Sequence, residues 1–205
     1  APGSYRLSVD GTQDALGAYA LRVIDAASAS AMAPDTPVSG VLEVGNQSAL
    51  YRFRASAGDS YFFKAAAPAS GALSARLLDP FGRQEGNSFD ARQDRQRFTV
   101  ERSGEYLLLL EGDIANQAAL AYGFTLQQVV DSHSPLRLGE TQIATIDQPG
   151  KIAHFTFDLA ATTPVVFDRL GNAAFAWSLS GPAGQHVARR AAAQGTLFDG
   201  VEKLL

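Results

Sequence analysis

Residues 104–131, GEYLLLLEGDIANQAALAYGFTLQQVVD, are the most informative part of the chain, because an earlier stretch has the same pattern. That stretch is residues 3–25, GSYRLSVDGTQDALGAYALRVID. The tyrosine of the Gly-x-Tyr motif recurs after 101 residues, at Tyr5 and Tyr106. In both stretches apolar residues recur on either side of a loop that contains Asp and Gly, which is typical of a β-hairpin. The sequence therefore predicts two copies of one hairpin.

A second pair of similar stretches gives nearly the same spacing. Residues 49–64 read ALYRFRASAGDSYFFK, and residues 152–168 read IAHFTFDLAATTPVVFD. Tyr51 matches Phe155 at a distance of 104 residues along the chain. Because the two sets of matches involve different residues, they indicate one internal repeat.

These spacings divide the chain into three parts. Residues 1–27 are predicted to be the C-terminal strands of a first repeat, residues 28–131 a complete repeat, and residues 132–205 the N-terminal part of a third. Short alternating strands with a turn roughly every 8–12 residues predict an all-β fold of tandem jelly-roll or Ig-like antiparallel β-sandwich repeats. Since an incomplete sandwich exposes strand edges, we expect residues 1–25 to complete residues 132–205, in the same chain or in a strand-swapped oligomer.

The composition is that of a folded protein, with 46% hydrophobic and 19% charged residues among 205. A net charge of -4 argues against a nucleic-acid partner, which needs a basic face, and against a strongly anionic membrane surface. No stretch approaches the roughly 18 apolar residues of a membrane span. The chain has no cysteine, which excludes disulfides, thiolate metal sites and cysteine nucleophiles and favours an exported protein.

Five different short motifs follow one another along residues 51–124. They are an aromatic-x-Phe strand, a Gly-Asp turn, an Asp-Pro-x-Gly turn, a Gly-x-Tyr strand and a tyrosine-bearing last strand, found here as Tyr51-Arg52-Phe53, Gly58-Asp59, Asp79-Pro80-Phe81-Gly82, Gly104-Glu105-Tyr106 and Tyr122-Gly123-Phe124. Together they resemble the bacterial pre-peptidase C-terminal (PPC-like) domain. The third repeat departs from this pattern at Ala160-Ala161-Thr162-Thr163, in place of the Gly-Asp turn, and at Gly181, in place of the aspartate.

The resemblance implies a jelly-roll-like sandwich in a secreted or surface-bound bacterial protein, as an accessory module beside a catalytic or adhesive region. It also implies that some relatives bind calcium or matrix polymers. No ligand residue is transferred to this chain, because the matching positions lie in turns and in the core.

Four acidic residues are candidate calcium ligands. Asp10, Asp14, Glu111 and Asp113 lie in equivalent loops between the last two strands of the first two repeats. Calcium takes six to eight oxygen ligands, which such a loop can supply. The alternative is that these aspartates only make turns, since Asp accepts hydrogen bonds from its own backbone. No other cofactor is expected.

The remaining charged and aromatic residues predict no catalytic site. His133, His154 and His186 have no metal-ligand spacing and are expected at the surface, and no G-x-S-x-G or H-E-x-x-H motif occurs. The segment from Asp90 to Arg97, with its two aspartates and three arginines, is expected to be a solvated loop of mixed charge and not a ligand cage. Most aromatic residues occupy alternating strand positions, which favours burial over a carbohydrate platform; they are Tyr51, Phe53, Tyr61, Phe62, Phe63, Tyr106 and Trp177.

The sequence therefore predicts a protein that is not an enzyme. The preferred interpretation is a non-catalytic spacer or stalk repeat of a large exported bacterial protein, secreted or at the cell surface, in adhesion or surface display. Its partners would be the neighbouring repeats. One alternative is an accessory module that binds glycan or matrix polymer, and another is a domain that targets or chaperones a secreted protease.

Overall fold

The computed structural model describes residues 3–66, 71–161, 163–168, 170, 175–191 and 201–204. These residues form β-strands and two three-residue 3₁₀ turns, Thr12–Asp14 and Ala26–Ser28, and the described part of the chain contains no α-helix. The strands are β1 (Ser30–Ala31), β2 (Val38–Leu42), β3 (Ser48–Ala55), β4 (Ser60–Ala65), β5 (Leu73–Leu78), β6 (Phe89–Asp90), β7 (Arg95–Thr99), β8 (Gly104–Gly112), β9 (Leu120–Val129), β10 (Ser132–Pro135), β11 (Ala153–Thr156), β12 (Val165–Asp168), β13 (Ala176–Gly181), β14 (Gly184–Ala191) and β15 (Val201–Leu204). The all-β class predicted from the sequence is confirmed.

The chain forms two compact units. The first comprises Ala1–Ser132 and Ala144–His154, and the second comprises His133–Ile143 and Phe155–Leu205. The chain first passes from one unit to the other after Ser132, where the sequence analysis placed the start of the third repeat. It returns to the first unit at Ala144–His154.

Two sheets make up most of the first unit. One has five strands in the order β1-β3-β8-β5-β6, and the other has four in the order β2-β9-β4-β7. Neighbouring strands are antiparallel except β1 and β3, which are parallel. The closing strands, β8 and β9, do not pair with each other, so the predicted hairpin is wrong for this stretch. Each of them is instead an interior strand of a different sheet.

Alternation along β8 explains why the two sheets face each other. Tyr106, Leu108 and Leu110 are buried, whereas Leu107 and Leu109 between them are only half-buried. Successive side chains of a strand point to opposite faces, so the buried set lies on one side of the sheet. The continuous apolar run of the sequence therefore corresponds to a central strand with one deeply buried face.

Apolar side chains between the sheets form two buried clusters. The first contains Leu42, Tyr51, Phe63, Leu73, Ala75, Ala91, Leu108, Leu110, Leu120, Tyr122 and Phe124, and the second contains Phe53, Ala55, Tyr61, Leu77, Val100, Tyr106 and Leu126. Each cluster takes residues from both sheets. Removal of this surface from water is the main force that holds the sheets face to face.

Six of the seven aromatic residues that alternation predicted to be buried are buried, and Trp177 is half-buried; the six are Tyr51, Phe53, Tyr61, Phe62, Phe63 and Tyr106. Tyr61 and Phe63 belong to the two clusters, while Phe62 lies between them on the opposite face of β4 and is also buried.

Two buried tyrosines share one hydrogen bond inside the core. The hydroxyl oxygens of Tyr51 and Tyr122 are 2.6 Å apart and link β3 of one sheet to β9 of the other. A Cβ atom on Gly40 would lie only 2.4 Å from the Tyr122 hydroxyl. Glycine at position 40 therefore leaves the space that this hydroxyl occupies.

Three further strand pairs follow in the chain. They are β10–β11, β12–β15 and β13–β14. In the second unit Phe167 of β12 stacks on Trp177 of β13, with ring centroids 4.4 Å apart. This contact brings together two of its strand pairs through aromatic burial.

The strands expected near the N-terminus are not formed. Residues 3–25 contain no β-strand, and their apolar side chains are exposed, among them Tyr5 at 81% and Tyr19 at 70%. Alternation alone does not produce a strand here, because an isolated pair of strands is only marginally stable in water and needs a sheet against which to bury its apolar face. Within this chain residues 3–25 thus supply no strand to complete residues 132–205, and exchange between chains stays a prediction.

We expect the Tyr51–Tyr122 hydrogen bond to show strong coupling on substitution. Tyr51→Phe or Tyr122→Phe alone leaves a buried hydroxyl without its partner and should cost about 1–3 kcal/mol of unfolding free energy. The double variant removes both hydroxyls and should cost clearly less than the sum.

The measurement is urea unfolding followed by circular dichroism, with Tyr19→Phe as the matched control at an exposed position. The control should be neutral. Additive costs in the double variant would contradict the coupling.

Candidate functional site

Two of the predicted calcium ligands have other partners. Glu111 of β8 accepts two hydrogen bonds from the guanidinium of Arg76 on β5. The Asp113 Oδ1 atom accepts the Ala115 N–H at 2.8 Å, and the Asp113 carbonyl accepts the Asn116 N–H at 2.9 Å. Asp113 therefore stabilises a turn, which was the alternative to calcium binding that the sequence offered.

The other two candidates lie in the N-terminal stretch. Asp10 is exposed, and the side chain of Asp14 lies outside the described residues. Among the side chains that the structure describes, no group of three or more His, Cys, Asp or Glu is placed to hold a metal ion. Calcium binding stays a prediction.

The three histidines lie in different strands. His133 is in β10, His154 in β11 and His186 in β14, where it is exposed. His154 is about half exposed, and its Nε2 atom is 3.5 Å from Oδ2 of Asp131. It is thus less isolated than a purely solvated surface residue.

The segment Asp90 to Arg97 is more ordered than the sequence suggested. Asp90 pairs with Arg92, and Asp94 pairs with Lys64 across the strands. The Arg95 guanidinium lies over the rings of Phe89 and Phe98, 4.6 and 4.5 Å from their centroids. The expectation of a solvated loop is therefore wrong for the C-terminal half, where β7 forms the edge of the four-stranded sheet.

Arg97 at this edge is the centre of a polar contact that sequence reasoning missed. Its Nη1 donates to Oδ1 of Asp131 at 2.6 Å and to the carbonyl of Gly150 at 3.2 Å, and its Nη2 donates to Ser60 Oγ at 2.9 Å. Oδ1 of Asp131 also accepts the backbone N–H of Ile152 at 2.9 Å. We call Arg97, Asp131, Gly150 and Ile152 the Asp131 clasp.

The clasp holds one segment of chain against the edge of the sandwich. Residues 148–152 lie beside the end of β9, where the Gln148 side-chain amide also donates to the Gln128 carbonyl at 2.8 Å. All of these residues belong to the first unit. The contacts are directional, so they set the register of the segment.

The charged side chains of the clasp are partly buried. The side chains of Arg97 and Asp131 are 24% and 17% exposed. The hydrogen bond from the Arg97 guanidinium lowers the pKa of the Asp131 carboxyl to about 2, with a smaller contribution from the Ile152 N–H. Asp131 is therefore an anion throughout the neutral and mildly acidic range.

A groove of about 380 Å³ lies beside the outer edge of β3. Its lining consists of residues 22–25 and 48–51 with Ser28 and Ser30. Arg22 Nη2 donates to the Ser48 carbonyl across it at 3.2 Å. The groove is thus formed by the N-terminal stretch on one side and a strand edge on the other.

A second depression, of about 330 Å³, surrounds the Asp79 turn. The buried Asp79 carboxylate accepts the backbone N–H groups of Phe81 and Arg83 and pairs with the Arg83 and Arg102 side chains. Gly82 in this turn has a φ of 76°, a backbone angle that residues other than glycine rarely adopt. The Asp-Pro-x-Gly motif therefore stabilises a turn.

Comparisons with known proteins add little about function. No protein-family model matches the chain, and no curated protein matches it. Two solved structures that are similar to part of it are periplasmic lysozyme inhibitors of g-type lysozyme, PliG, from Aeromonas hydrophila and Salmonella Typhimurium. The first is 13% identical, with a TM-score of 0.41, and covers 49% of this chain and 95% of its own. The second is 20% identical, with a TM-score of 0.38, and covers 48% of this chain and 95% of its own.

No helix in the described part of the chain combines the length and apolar character needed to cross a membrane.

The carboxyl of Asp131 should titrate abnormally. Its pKa is lowered to about 2 from 3.8, so its stabilising contribution is full above 3.8 and is lost as the pH falls through 2. Arg97→Gln removes the main donor and should raise this pKa toward 3.8. Carbon-13 NMR of the carboxyl groups measures the change.

Arg137→Gln is the control, because Arg137 pairs with Glu140 at an exposed position. It should leave the Asp131 titration unchanged. A midpoint near 3.8 in the unsubstituted chain would contradict the clasp.

Calcium should have little effect on stability. Glu111 is already neutralised by Arg76, so we expect millimolar calcium and a chelator to give melting temperatures within about 1 °C of each other. Differential scanning calorimetry, with Asp113→Asn in parallel, tests this. A rise of several degrees that Asp113→Asn abolishes would instead support the calcium site of the sequence prediction.

Proposed function

We propose that this chain is a non-catalytic piece of a tandem β-sandwich array, which acts as a spacer or stalk in adhesion or surface display by a large exported bacterial protein. The observation that carries the proposal is a set of backbone hydrogen bonds that recur at a constant distance of 104 residues along the chain.

The first recurrence joins the start of each proposed repeat to a later strand, β3 in one case and β11 in the other. The Met32 N–H donates to the Arg52 carbonyl at 2.9 Å, and the Leu136 N–H donates to the Thr156 carbonyl at 2.7 Å. Donor and acceptor are each displaced by 104 residues. The parallel contact beside β3 thus has a counterpart beside β11.

The second recurrence is a turn a few residues later. The Thr36 N–H donates to the Ala33 carbonyl at 3.3 Å, and the Glu140 N–H donates to the Arg137 carbonyl at 3.2 Å. The residue before each donor, Asp35 or Gly139, has positive φ, 63° and 81°. Asp and Gly are among the residues that tolerate this conformation best.

The third recurrence is the turn that precedes β3 in one case and β11 in the other. The Gln47 N–H donates to the Val44 carbonyl at 2.9 Å, and the Lys151 N–H donates to the Gln148 carbonyl at 3.2 Å. These pairs share little sequence identity, so similar side chains do not explain the agreement. A common backbone plan does.

Strand pairing supports the same proposal further along the chain. β4 pairs antiparallel with β7, with Ser60 opposite Thr99, and β12 pairs antiparallel with β15, with Val166 opposite Lys203. Thr99 and Lys203 are 104 residues apart, while Ser60 and Val166 are 106 apart. The register thus agrees within two residues.

A structural role suits what the repeats have in common. The recurring features are turns, backbone hydrogen bonds and core positions, and in solenoid and repeat arrays each unit needs to contact only its neighbours. The buried Asp79 turn and the aromatic pairs of the core occupy the motif positions that resemble PPC-like domains. Membership of that family is part of the proposal.

An immunoblot of the source cells with antibody against this chain tests the array. We expect a polypeptide several times larger than the 21.7 kDa of this chain, in the exported or surface fraction. A cytoplasmic band near 21.7 kDa would overturn the proposal. Binding of this chain to a glycan array or to matrix proteins would replace the spacer role with the binding alternative.

A further inference from the structure

The Asp131 clasp joins two stretches that both have counterparts elsewhere in the chain. Residues 147–152 are the counterpart of residues 43–48, since the Lys151–Gln148 hydrogen bond lies 104 residues after the Gln47–Val44 bond. Asp131 ends the stretch 104–131, whose counterpart, residues 3–25, ends at Asp25. If the contact is a property of the repeat, Asp25 belongs opposite residue 48.

The structure places these counterparts beside each other. Ser48 is the residue 104 positions before Ile152, and its carbonyl accepts the Arg22 guanidinium at 3.2 Å. Residues 22–25 and Ser48 line the same groove. The two stretches of the first junction are therefore neighbours, as the two stretches of the clasp are.

The edge of β3 is suited to receive a partner. The Arg52 carbonyl accepts the Met32 N–H, so the backbone groups of Arg52 point away from β8. Backbone groups two residues apart point the same way in a strand, and those of Ser48 and Leu50 therefore face the groove. A strand edge that β1 leaves without a paired strand is a template for recognition.

One contact distinguishes the two junctions. Asp131 accepts the N–H of Ile152, whereas Asp25 accepts the N–H of Ala27 at 2.9 Å. Asp131 follows a formed strand, β9, while residues 3–25 contain no strand. The two aspartates thus differ both in the N–H that they accept and in whether a strand precedes them.

We propose that the edge of β3 at Ser48, beside which residues 22–25 now lie, is the docking site for a folded preceding copy of the same repeat, whose final aspartate, at the position of Asp25, accepts the Ser48 N–H as Asp131 accepts that of Ile152. This inference rests on the proposed array and specifies its junction. The aspartate carboxylate is the hydrogen-bond acceptor. It is held in place by a guanidinium of its own repeat, which in the clasp is that of Arg97 on β7.

The first experiment tests the clasp in the chain as it is. Asp131→Asn and Arg97→Gln should each speed amide hydrogen exchange at Ile152 at least tenfold and should expose the bond after Lys151 to trypsin. Lys64→Gln, which removes the exposed pair with Asp94 on the same sheet, is the control and should change neither.

Urea unfolding of the same variants shows that the sandwich remains folded. Unchanged exchange at Ile152 in folded Asp131→Asn would overturn the clasp as a junction contact, and Arg97→Gln provides a second folded variant for the same comparison.

The second experiment supplies the preceding repeat. In an extended chain, residues 28–131 replace residues 1–25 and run directly into Ala26, so that the added aspartate takes the place of Asp25. We expect the Ser48 amide to exchange at least tenfold more slowly than in the original chain, and Asp→Asn at the added position to reverse this.

Core amides of the added copy report whether it folds. A folded copy with no protection at Ser48 would overturn the docking site, even if the immunoblot shows a large exported array. A short native polypeptide would instead overturn the proposed array itself, so the two failures are distinguishable.

Discussion

The placement of the closing strands, β8 and β9, in opposite sheets is the constraint on which the first unit depends. β8 lies between β3 and β5 in one sheet, and β9 lies between β2 and β4 in the other. Each sheet therefore obtains an interior strand from the same short stretch of chain, and each buried cluster contains side chains from it. Residues 3–25 have the same sequence alternation but form no strand, and the later strands β10 to β15 form three two-stranded pairs.

Much of this fold is visible in the sequence because it depends on local alternation. Tyr106, Leu108 and Leu110 repeat with the period of a strand, and this pattern predicts both the all-β class and the buried aromatic core. The turn at Asp79 is readable for a similar reason, since Pro and Gly have narrow backbone preferences. Alternation does not report whether a partner sheet exists, which is why Tyr5 and its neighbours were expected in a strand that the structure does not contain.

The candidate site was less accessible to sequence reasoning, because its partners are distant along the chain. Arg97 lies within a run of charges and has no local feature that separates it from Arg92, yet it pairs with a residue 34 positions later. A usable signal did exist: both hairpin stretches end in aspartate, at Asp25 and Asp131. The acceptor position at Ile152 carries no signal in its side chain, since the clasp uses its backbone N–H.

The position of the closing strands also affects the order in which the unit can fold. β8 and β9 come last among the strands of the two sheets, so β3 cannot join β5, and β2 cannot join β4, until they have been synthesised. Their pairing is non-local, and a chain that emerges N-terminus first cannot close the sandwich early. The two sheets therefore join in a late step of folding, once both closing strands are present.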